Sequence, residues 1–119
     1  PSDNSVYWNR GWYKVKMENF SGAIEDFTIV LENDSNYSRY IDAFNMRGLC
    51  YYLLDQYELA IQDYSKAIEL DNTQFEFYFN RGMSLIYSGN TLDGCEDLKR
   101  AKGLGGDHIG KEEIEENCL

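Results

Sequence analysis

The sequence predicts an all-α protein, a right-handed α-solenoid of three helical hairpins followed by a C-terminal capping helix. Two observations predict this class. Apolar residues recur at intervals of three and four, which is the period of a helix and not that of a strand. A pattern centred on an Arg-Gly pair also occurs three times, and hairpins repeated in this way bury their apolar faces by stacking on one another. The only proline is Pro1, so no proline breaks a predicted helix.

The repeated pattern describes a pair of helices that pack closely. An aromatic residue lies four positions before each glycine, a small residue twelve positions after it, and a large apolar residue sixteen positions after it. The glycines are separated by 37 and 34 residues. Antiparallel helices approach closely only where small residues face one another, so each unit indicates a hairpin. In chain order the four kinds of residue are Tyr7, Phe44 and Tyr78; Gly11, Gly48 and Gly82; Ala23, Ala60 and Gly94; Phe27, Tyr64 and Leu98.

Turn-prone residues mark the ends of the predicted helices. Within the hairpins they lie at 18–19, 55–56 and 88–90, and between the hairpins they lie at 33–36, 71–73 and 103–106. We therefore predict helices over 4–17, 20–32, 38–54, 57–70, 74–88 and 91–103.

The segment after the third hairpin predicts a seventh helix near 108–118. Its apolar stripe of Ile109, Ile114 and Cys118 is narrow, and many of its other residues are acidic. A polar helix of this kind covers the end of a stacked array. We therefore expect residues 1–119 to form a single domain.

The repeated unit resembles the tetratricopeptide repeat (TPR), a helix-turn-helix unit of about 34 residues with small residues at its eighth and twentieth positions. The resemblance covers residues 4–107 and implies repeats at about 4–37, 41–74 and 75–108, with the capping helix after them. What it implies about fold is a solenoid, and what it implies about function is protein binding without catalysis.

Some positions depart from the family pattern. The first repeat has three extra residues before the second begins, Lys14 replaces a large apolar residue, and Gly94 replaces an alanine. The proline that the family has near the end of the unit is absent from all three repeats. These changes concern local curvature and not the architecture. The run from Gly94 to Cys118 resembles the endings of many bacterial TPR proteins, which implies a bacterial source.

The charge balance excludes several classes of function. The chain has 21 acidic residues against 11 Lys and Arg, a net charge of −10, so it lacks the basic face that nucleic-acid binding requires. No stretch approaches the roughly 20 apolar residues of a membrane span, and residues 1–20 lack the apolar core of a signal peptide. Pro1 is typical of a trimmed fragment. We expect a cytoplasmic location, and a periplasmic or exported one stays open if a leader was removed.

The sequence contains no recognisable catalytic or metal-binding motif. Cys50, Cys95 and Cys118 are an odd number of cysteines without a CxxC pair, so we expect reduced thiols that fill helix interfaces. His108, the only histidine, follows a glycine pair and is expected in a loop or at a helix start. The sequence therefore predicts neither an enzyme nor a cofactor or metal site.

An arginine and an aspartate recur sixteen residues apart in every unit. Because they lie on the two helices of one hairpin, we predict ion pairs that fix the register of each hairpin. Alternatively, the arginines face the groove and bind a carboxylate ligand. The pairs are Arg10/Asp26, Arg47/Asp63 and Arg81/Asp97.

The TPR resemblance implies that the first helix of each unit lines a concave groove. Asn9 and Asn80 would offer donors and acceptors to a peptide backbone, and the aromatic residues would bind its side chains. For Leu49 and Tyr52, packing against a neighbouring repeat stays open as an alternative. The candidate groove residues are Trp8, Asn9, Trp12, Asn45, Met46, Leu49, Tyr52, Phe79, Asn80, Met83 and Tyr87.

The sequence therefore predicts a non-enzymatic interaction scaffold that binds an apolar or basic peptide or helix. Related proteins that bind the acidic C-terminus of chaperones use a clamp of Lys, Asn and Arg, and here Asp42 and Glu76 oppose such a ligand. The alternative is a structural module that forms homo-oligomers, a homodimer included, through the aromatic first helix. Trp8 and Trp12 would lie at that interface.

Overall fold

The computed structural model describes residues 5–33, 37–106 and 108–118, and seven helices account for most of them. No strand occurs in these ranges, so the predicted all-α class is confirmed. Within the same ranges no helix is both long and apolar enough to cross a membrane. The helices are α1 (Ser5–Lys16), α2 (Phe20–Asn33), α3 (Tyr37–Leu53), α4 (Tyr57–Leu70), α5 (Phe75–Tyr87), α6 (Thr91–Gly105) and α7 (Lys111–Asn117).

The first six helices begin and end within two residues of the predicted bounds. The predicted start at residue 4 and the predicted loop residues 34–36 lie outside the described part of the chain. The seventh helix begins at Lys111 instead of near 108, because residues 108–110 form a turn in which Gly110 has a left-handed φ of 67°. His108 is exposed in this turn.

Each hairpin turns through the same backbone motif. Glu18, Asp55 and Gly89 occupy equivalent positions and have left-handed φ angles of 59°, 60° and 99°. In each turn the backbone N–H of the next residue donates to the carbonyl five residues before it, over 2.8 Å. This bond is the one that closes a helix whose following residue is left-handed. The repeat seen in the sequence is therefore also a repeat of the backbone.

The hairpins stack through apolar clusters that lie between them. α2 packs against α3 and α4 packs against α5, so the second helix of one hairpin contacts the first helix of the next. The stack extends the molecule to 52 Å along its longest axis. The cluster between the first two hairpins contains Ala23, Phe27, Met46 and Cys50, and the cluster between the last two contains Ile41, Ala67 and Phe77.

The small residues allow the closest helix approach in the third hairpin. A Cβ atom added to Gly94 would lie 2.7 Å from the carbonyl oxygen of Gly82, which is too short for a van der Waals contact. In the first hairpin, Gly11 instead faces the ring of Phe27, whose nearest atom would lie 2.9 Å from an added Cβ. The glycines therefore make room for a backbone in one hairpin and for an aromatic ring in another.

All three predicted Arg–Asp pairs form. Each guanidinium donates two hydrogen bonds to one carboxylate, over 2.7–2.9 Å. Arg47 also donates to Thr28 Oγ1 over 3.1 Å, and Arg81 donates to Ser65 Oγ over 3.2 Å. Thr28 and Ser65 belong to the preceding hairpin in each case. These two arginines therefore join neighbouring hairpins as well as the two helices of their own.

The first hairpin adds a lysine to its ion pair. Lys14 Nζ lies 3.1 Å from Asp26 Oδ2, and the Asp26 side chain is almost fully buried. Burial acts to raise the pKa of Asp26, but the hydrogen bonds from Arg10 and Lys14 outweigh it and hold the pKa below its usual value. Lys14, which departs from the family pattern, thus has a structural partner.

The cysteines require a correction to the sequence analysis. Cys95 in α6 and Cys118 just after α7 form a disulfide, with their Cα atoms 5.7 Å apart, and Cys50 is free and buried. The pair forms because α7 packs back against α6, which brings together residues 23 positions apart. The expectation of reduced thiols is therefore wrong for two of the three cysteines.

Candidate functional site

The first helices of the three hairpins form one continuous face. α3 and α5 are joined by a hydrogen bond in which Asn80 Nδ2 donates to Asn45 Oδ1 over 3.4 Å. α1 joins them because Trp8 and Val15 pack against the cluster that contains Met46. We call this surface the first-helix face. The predicted groove residues on its three helices are Trp8, Asn9, Trp12, Asn45, Met46, Leu49, Tyr52, Phe79, Asn80, Met83 and Tyr87.

Three of these residues are open to solvent. Asn9 is exposed, and Trp12 and Tyr87 are 39% and 56% exposed. Half-buried Trp8 supports Trp12, because the two ring centroids lie 6.0 Å apart edge to face and Trp8 lies 5.6 Å from Phe27 in the core. Pairs with this geometry add to the stability of both rings. The exposed ring of Trp12 is thus held in place by Trp8, which packs against the core.

The structure corrects the prediction that Met46 lines the groove. Its side chain is only 6% exposed and belongs to the cluster with Ala23, Phe27 and Cys50. Half-buried Leu49 packs against the same cluster. Both residues lie on the side of α3 that covers the first hairpin. Met46 therefore belongs to the core and not to the candidate site, and Leu49 serves the core as well.

The remaining groove residues combine packing with partial exposure. Phe79 lies beside the turn before α7, because a Cβ atom added to Gly110 would lie 3.7 Å from its ring. The hydrogen bond between Asn80 and Asn45 uses one donor of the first amide and one acceptor of the second, so both amides keep further hydrogen-bonding capacity. The half-buried residues are Asn45, Tyr52, Phe79, Asn80 and Met83.

An acidic cleft lies near the beginnings of α3 and α5. Its volume is about 260 Å³. Burial and, to a smaller extent, the nearby charge of Glu76 raise the pKa of Asp42, so the two carboxylates of the cleft lie close enough to repel each other. Among the residues that the structure describes, no group of three His, Cys, Asp or Glu side chains is arranged to hold a metal ion. The lining residues are Ser38, Ile41, Asp42, Asn45, Asp71, Gln74, Glu76 and Phe77.

A tyrosine cluster lies at the other ends of α3 and α5. The ring of Tyr57 stacks on that of Tyr87, with centroids 5.5 Å apart and an interplanar angle of 27°. Tyr52 contacts both rings, at 5.7 Å and 6.1 Å. Tyr57 is the first residue of α4 and was not among the predicted groove residues. One sequence signal could have identified Tyr57. It directly follows the predicted turn at 55–56, and stacking of the hairpins brings that turn close to the turn at 88–90.

Stacked helical hairpins that present their first helices on one face define the class of helical-repeat proteins. The model of the tetratricopeptide repeat family matches residues 41–73, inside the range predicted for the second repeat. Residues 41–73 are therefore identified as a tetratricopeptide repeat, and the stacked hairpins around them have the same fold. This repeat is a non-catalytic interaction fold.

Solved structures show the same fold. The first TPR of Spaghetti (RPAP3), bound to the HSP90 peptide SRMEEVD, has a TM-score of 0.87 at 19% identity and covers 95% of this chain and 88% of that one. YrrB, a TPR protein with an unusual peptide-binding site, has a TM-score of 0.79 at 24% identity, with coverages of 90% and 54%.

Curated relatives are longer than this chain. DnaJ homolog subfamily C member 7 of Homo sapiens is 36% identical over 69 residues, which are 58% of this chain and 13% of the relative. The lipoprotein NlpI homolog of Haemophilus influenzae is 31% identical over 115 residues, which are 92% of this chain and 34% of the relative. The chain thus spans at most about a third of the length of these two relatives.

Proposed function

We propose that the chain is a protein-interaction scaffold whose first-helix face binds a peptide or helix with apolar and basic side chains. The composition of the face is the observation behind this proposal. Trp12 and Tyr87 are open to solvent, and the acidic cleft with Asp42 and Glu76 lies on the same row of helices. Aromatic rings supply much of the binding energy when a partner covers them. The two carboxylates attract Lys or Arg side chains.

The sign of the charge separates this proposal from the binding of an acidic peptide. The related TPR of Spaghetti is bound to SRMEEVD, a peptide with three acidic residues and one arginine. A similar peptide here would bring carboxylates close to Asp42, whose pKa burial and Glu76 already raise. Like charges placed close together across an interface disfavour binding. We therefore infer a partner of the opposite charge.

Fluorescence polarisation with two labelled peptides tests this inference. One peptide is SRMEEVD, and the other is SRMKKVK, in which lysine replaces each acidic residue. We expect SRMKKVK to bind about tenfold more tightly at low salt, a difference of about 1.4 kcal/mol. Equal affinities, or tighter binding of SRMEEVD, would overturn the proposal.

Matched double variants distinguish the face from the net charge of the chain. Asp42→Asn with Glu76→Gln removes two charges from the cleft, whereas Glu112→Gln with Glu115→Gln removes two exposed charges from α7. We expect the first pair to weaken SRMKKVK binding and the second to change it by less than about twofold, because distant exposed charges are screened. Equal losses would show that net charge alone attracts the peptide.

Self-association through α1 is the second candidate function. It is favoured by the exposure of Trp12, Val6 and Tyr13 on this helix and of Met17 directly after it. Large exposed apolar patches commonly mark interfaces. Light scattering over a range of protein concentrations separates the two candidates. A mass that rises with concentration, and falls back in Trp12→Ala, supports a homodimer, and a constant monomer mass rejects it.

A further inference from the structure

A crevice at the edge of the first-helix face provides a further inference, which rests on the proposed function and names a residue type in the partner. The crevice lies between the turn of the second hairpin and the end of α5, and its volume is about 400 Å³. It shares no residue with the acidic cleft. Its lining residues are Asp55, Gln56, Tyr57, Glu58, Leu59 and Ser88.

One wall of the crevice is an aromatic ring held by its neighbours. Tyr57 stacks on Tyr87 and contacts Tyr52 edge to face. The hydroxyl of Tyr57 donates to Asp55 Oδ1 over 2.9 Å, which fixes the ring from its other end. Leu59 is partly exposed and adds an aliphatic surface to the crevice. The crevice therefore offers apolar contacts in a defined position.

The rim of the crevice is negatively charged. Asp55 and Glu58 are exposed, and among the described residues that line the crevice none is Lys or Arg. Asp55 is positioned by the left-handed turn, with a φ of 60°. The hydrogen bond from Tyr57 uses Oδ1 of Asp55, so Oδ2 of Asp55 can accept from another donor. A cationic hydrogen-bond donor would therefore both neutralise the negative charge of the rim and bond to its carboxylate oxygens.

We propose that this crevice binds the side chain of an arginine in the partner. The methylene groups of the arginine pack against Tyr57 and Leu59. Its planar guanidinium stacks on the tyrosine and donates to the carboxylates of Asp55 and Glu58. Lysine lacks the planar group that stacks, and a neutral side chain leaves both carboxylates without a charged partner. The net charge of −10 complements a basic partner.

The test uses two single-residue probes, N-acetylarginine amide and its neutral isostere N-acetylcitrulline amide. Each is titrated into the ¹⁵N-labelled protein while backbone amide shifts are recorded by NMR. We expect the arginine probe to shift the amides of Tyr57, Glu58 and Ser88 and to bind at least about fivefold more tightly than the citrulline probe. Equal shifts from the two probes, or shifts only at the acidic cleft, would overturn the proposal.

Two double variants with the same loss of charge complete the experiment. Asp55→Asn with Glu58→Gln alters the rim, and asparagine tolerates the left-handed turn. We expect this variant to weaken the arginine probe about fivefold and Glu112→Gln with Glu115→Gln to leave it unchanged within about twofold. Equal weakening by the two variants would also overturn the assignment.

The probes keep this inference distinct from the proposed function. A single residue does not span the first-helix face, so its binding does not depend on that of SRMKKVK. A peptide that binds while neither probe shifts the crevice rejects the arginine site alone. Failure of both peptides, with binding of the arginine probe, rejects the proposed function alone.

Discussion

The side chain of Arg47 joins the two helices of its own hairpin and also joins that hairpin to the preceding one. It donates two hydrogen bonds to Asp63 and a third to Thr28 of the preceding hairpin. Its guanidinium also lies 5.8 Å and 5.9 Å from the ring centroids of Phe44 and Tyr51. The hydrogen bond to Asp63 raises the pKa of Arg47 further above its already high value, so the arginine stays charged. Its side chain and that of Asp63 are only 19% and 6% exposed.

Replacing Asp63 by alanine should therefore be costly. The variant leaves the Arg47 charge in a largely buried place without its counterion, and we expect the free energy of unfolding to fall by about 3–5 kcal/mol. Urea denaturation followed by circular dichroism measures the change. Glu69→Ala is the control, because Glu69 pairs with Lys66 at 3.5 Å on the surface, with side-chain exposures of 69% and 44%. We expect it to cost less than about 1 kcal/mol. A similar small cost for both variants would contradict a structural role for the Arg47 pair.

The Arg–Asp pairs were predictable because a repeat samples one geometry three times. The same offset in three units identifies two residues that face each other, whatever the exact packing. The third bond of Arg47 was not predictable, since it joins neighbouring hairpins and depends on how the units stack. The salt bridge between Lys14 and Asp26 was missed for a related reason, because it occurs in only one unit.

The third hairpin has the closest helix packing seen at the repeat glycines. Gly82 and Gly94 face each other across α5 and α6, and a Cβ on either would lie less than 3.0 Å from a carbonyl oxygen of the other helix. Backbone atoms cannot rotate away as a long side chain does. A methyl group here would therefore push the two helices apart.

Gly94→Ala should destabilise the protein by about 1–3 kcal/mol through this overpacking. Gly103→Ala is a matched control in the same helix, because a Cβ at Gly103 meets nothing within 4 Å. There the helix propensity of alanine should stabilise the protein by about 0.5–1 kcal/mol. Thermal unfolding of the two variants should thus give shifts of opposite sign. Stabilisation by both would mean that the helices separate without cost.

Local sequence signals predicted the bounds of the first six helices closely and the start of α7 less closely. Periodicity and turn residues located the first six helices, because both signals lie within the segment that folds. The start of α7 depends on Gly110 adopting a left-handed φ of 67°, beside Phe79 of the third hairpin. No residue near position 110 specifies that contact, so the predicted start lay three residues early.

At the scale of the whole molecule, α7 closes the C-terminal end of the described stack, and the disulfide fixes it there. Reduction removes a constraint on a segment whose ends lie 23 residues apart. We expect a reductant to lower the free energy of unfolding by about 3 kcal/mol, because the unfolded chain regains conformational freedom. Urea denaturation with and without dithiothreitol measures this effect.

Cys118→Ser provides the control for the reduction experiment. This variant should match the reduced wild-type protein and should show no further response to dithiothreitol. Identical unfolding midpoints for oxidised and reduced wild type would contradict a stabilising role for the disulfide.

The candidate site was predicted in part. The repeat register located exposed Trp12, Asn9 and Tyr87, because residue spacing along a helix determines which side chains share a face. It misassigned Met46, because that position faces the first hairpin. How deeply Met46 is buried there depends on how closely α2 packs against α3. Tyr57 was missed because its ring neighbours, Tyr52 and Tyr87, come from two other helices that only the folded structure brings together.

The bond between Cys95 and Cys118 also makes the molecule sensitive to its surroundings. Disulfides persist in oxidising compartments such as the bacterial periplasm, whereas the thiol systems of the cytosol keep cysteines reduced. The chain would hold α7 covalently in the first environment and only by packing in the second. The compartment in which the chain resides therefore determines how firmly the end of the stack is covered, beside Phe79 on the first-helix face.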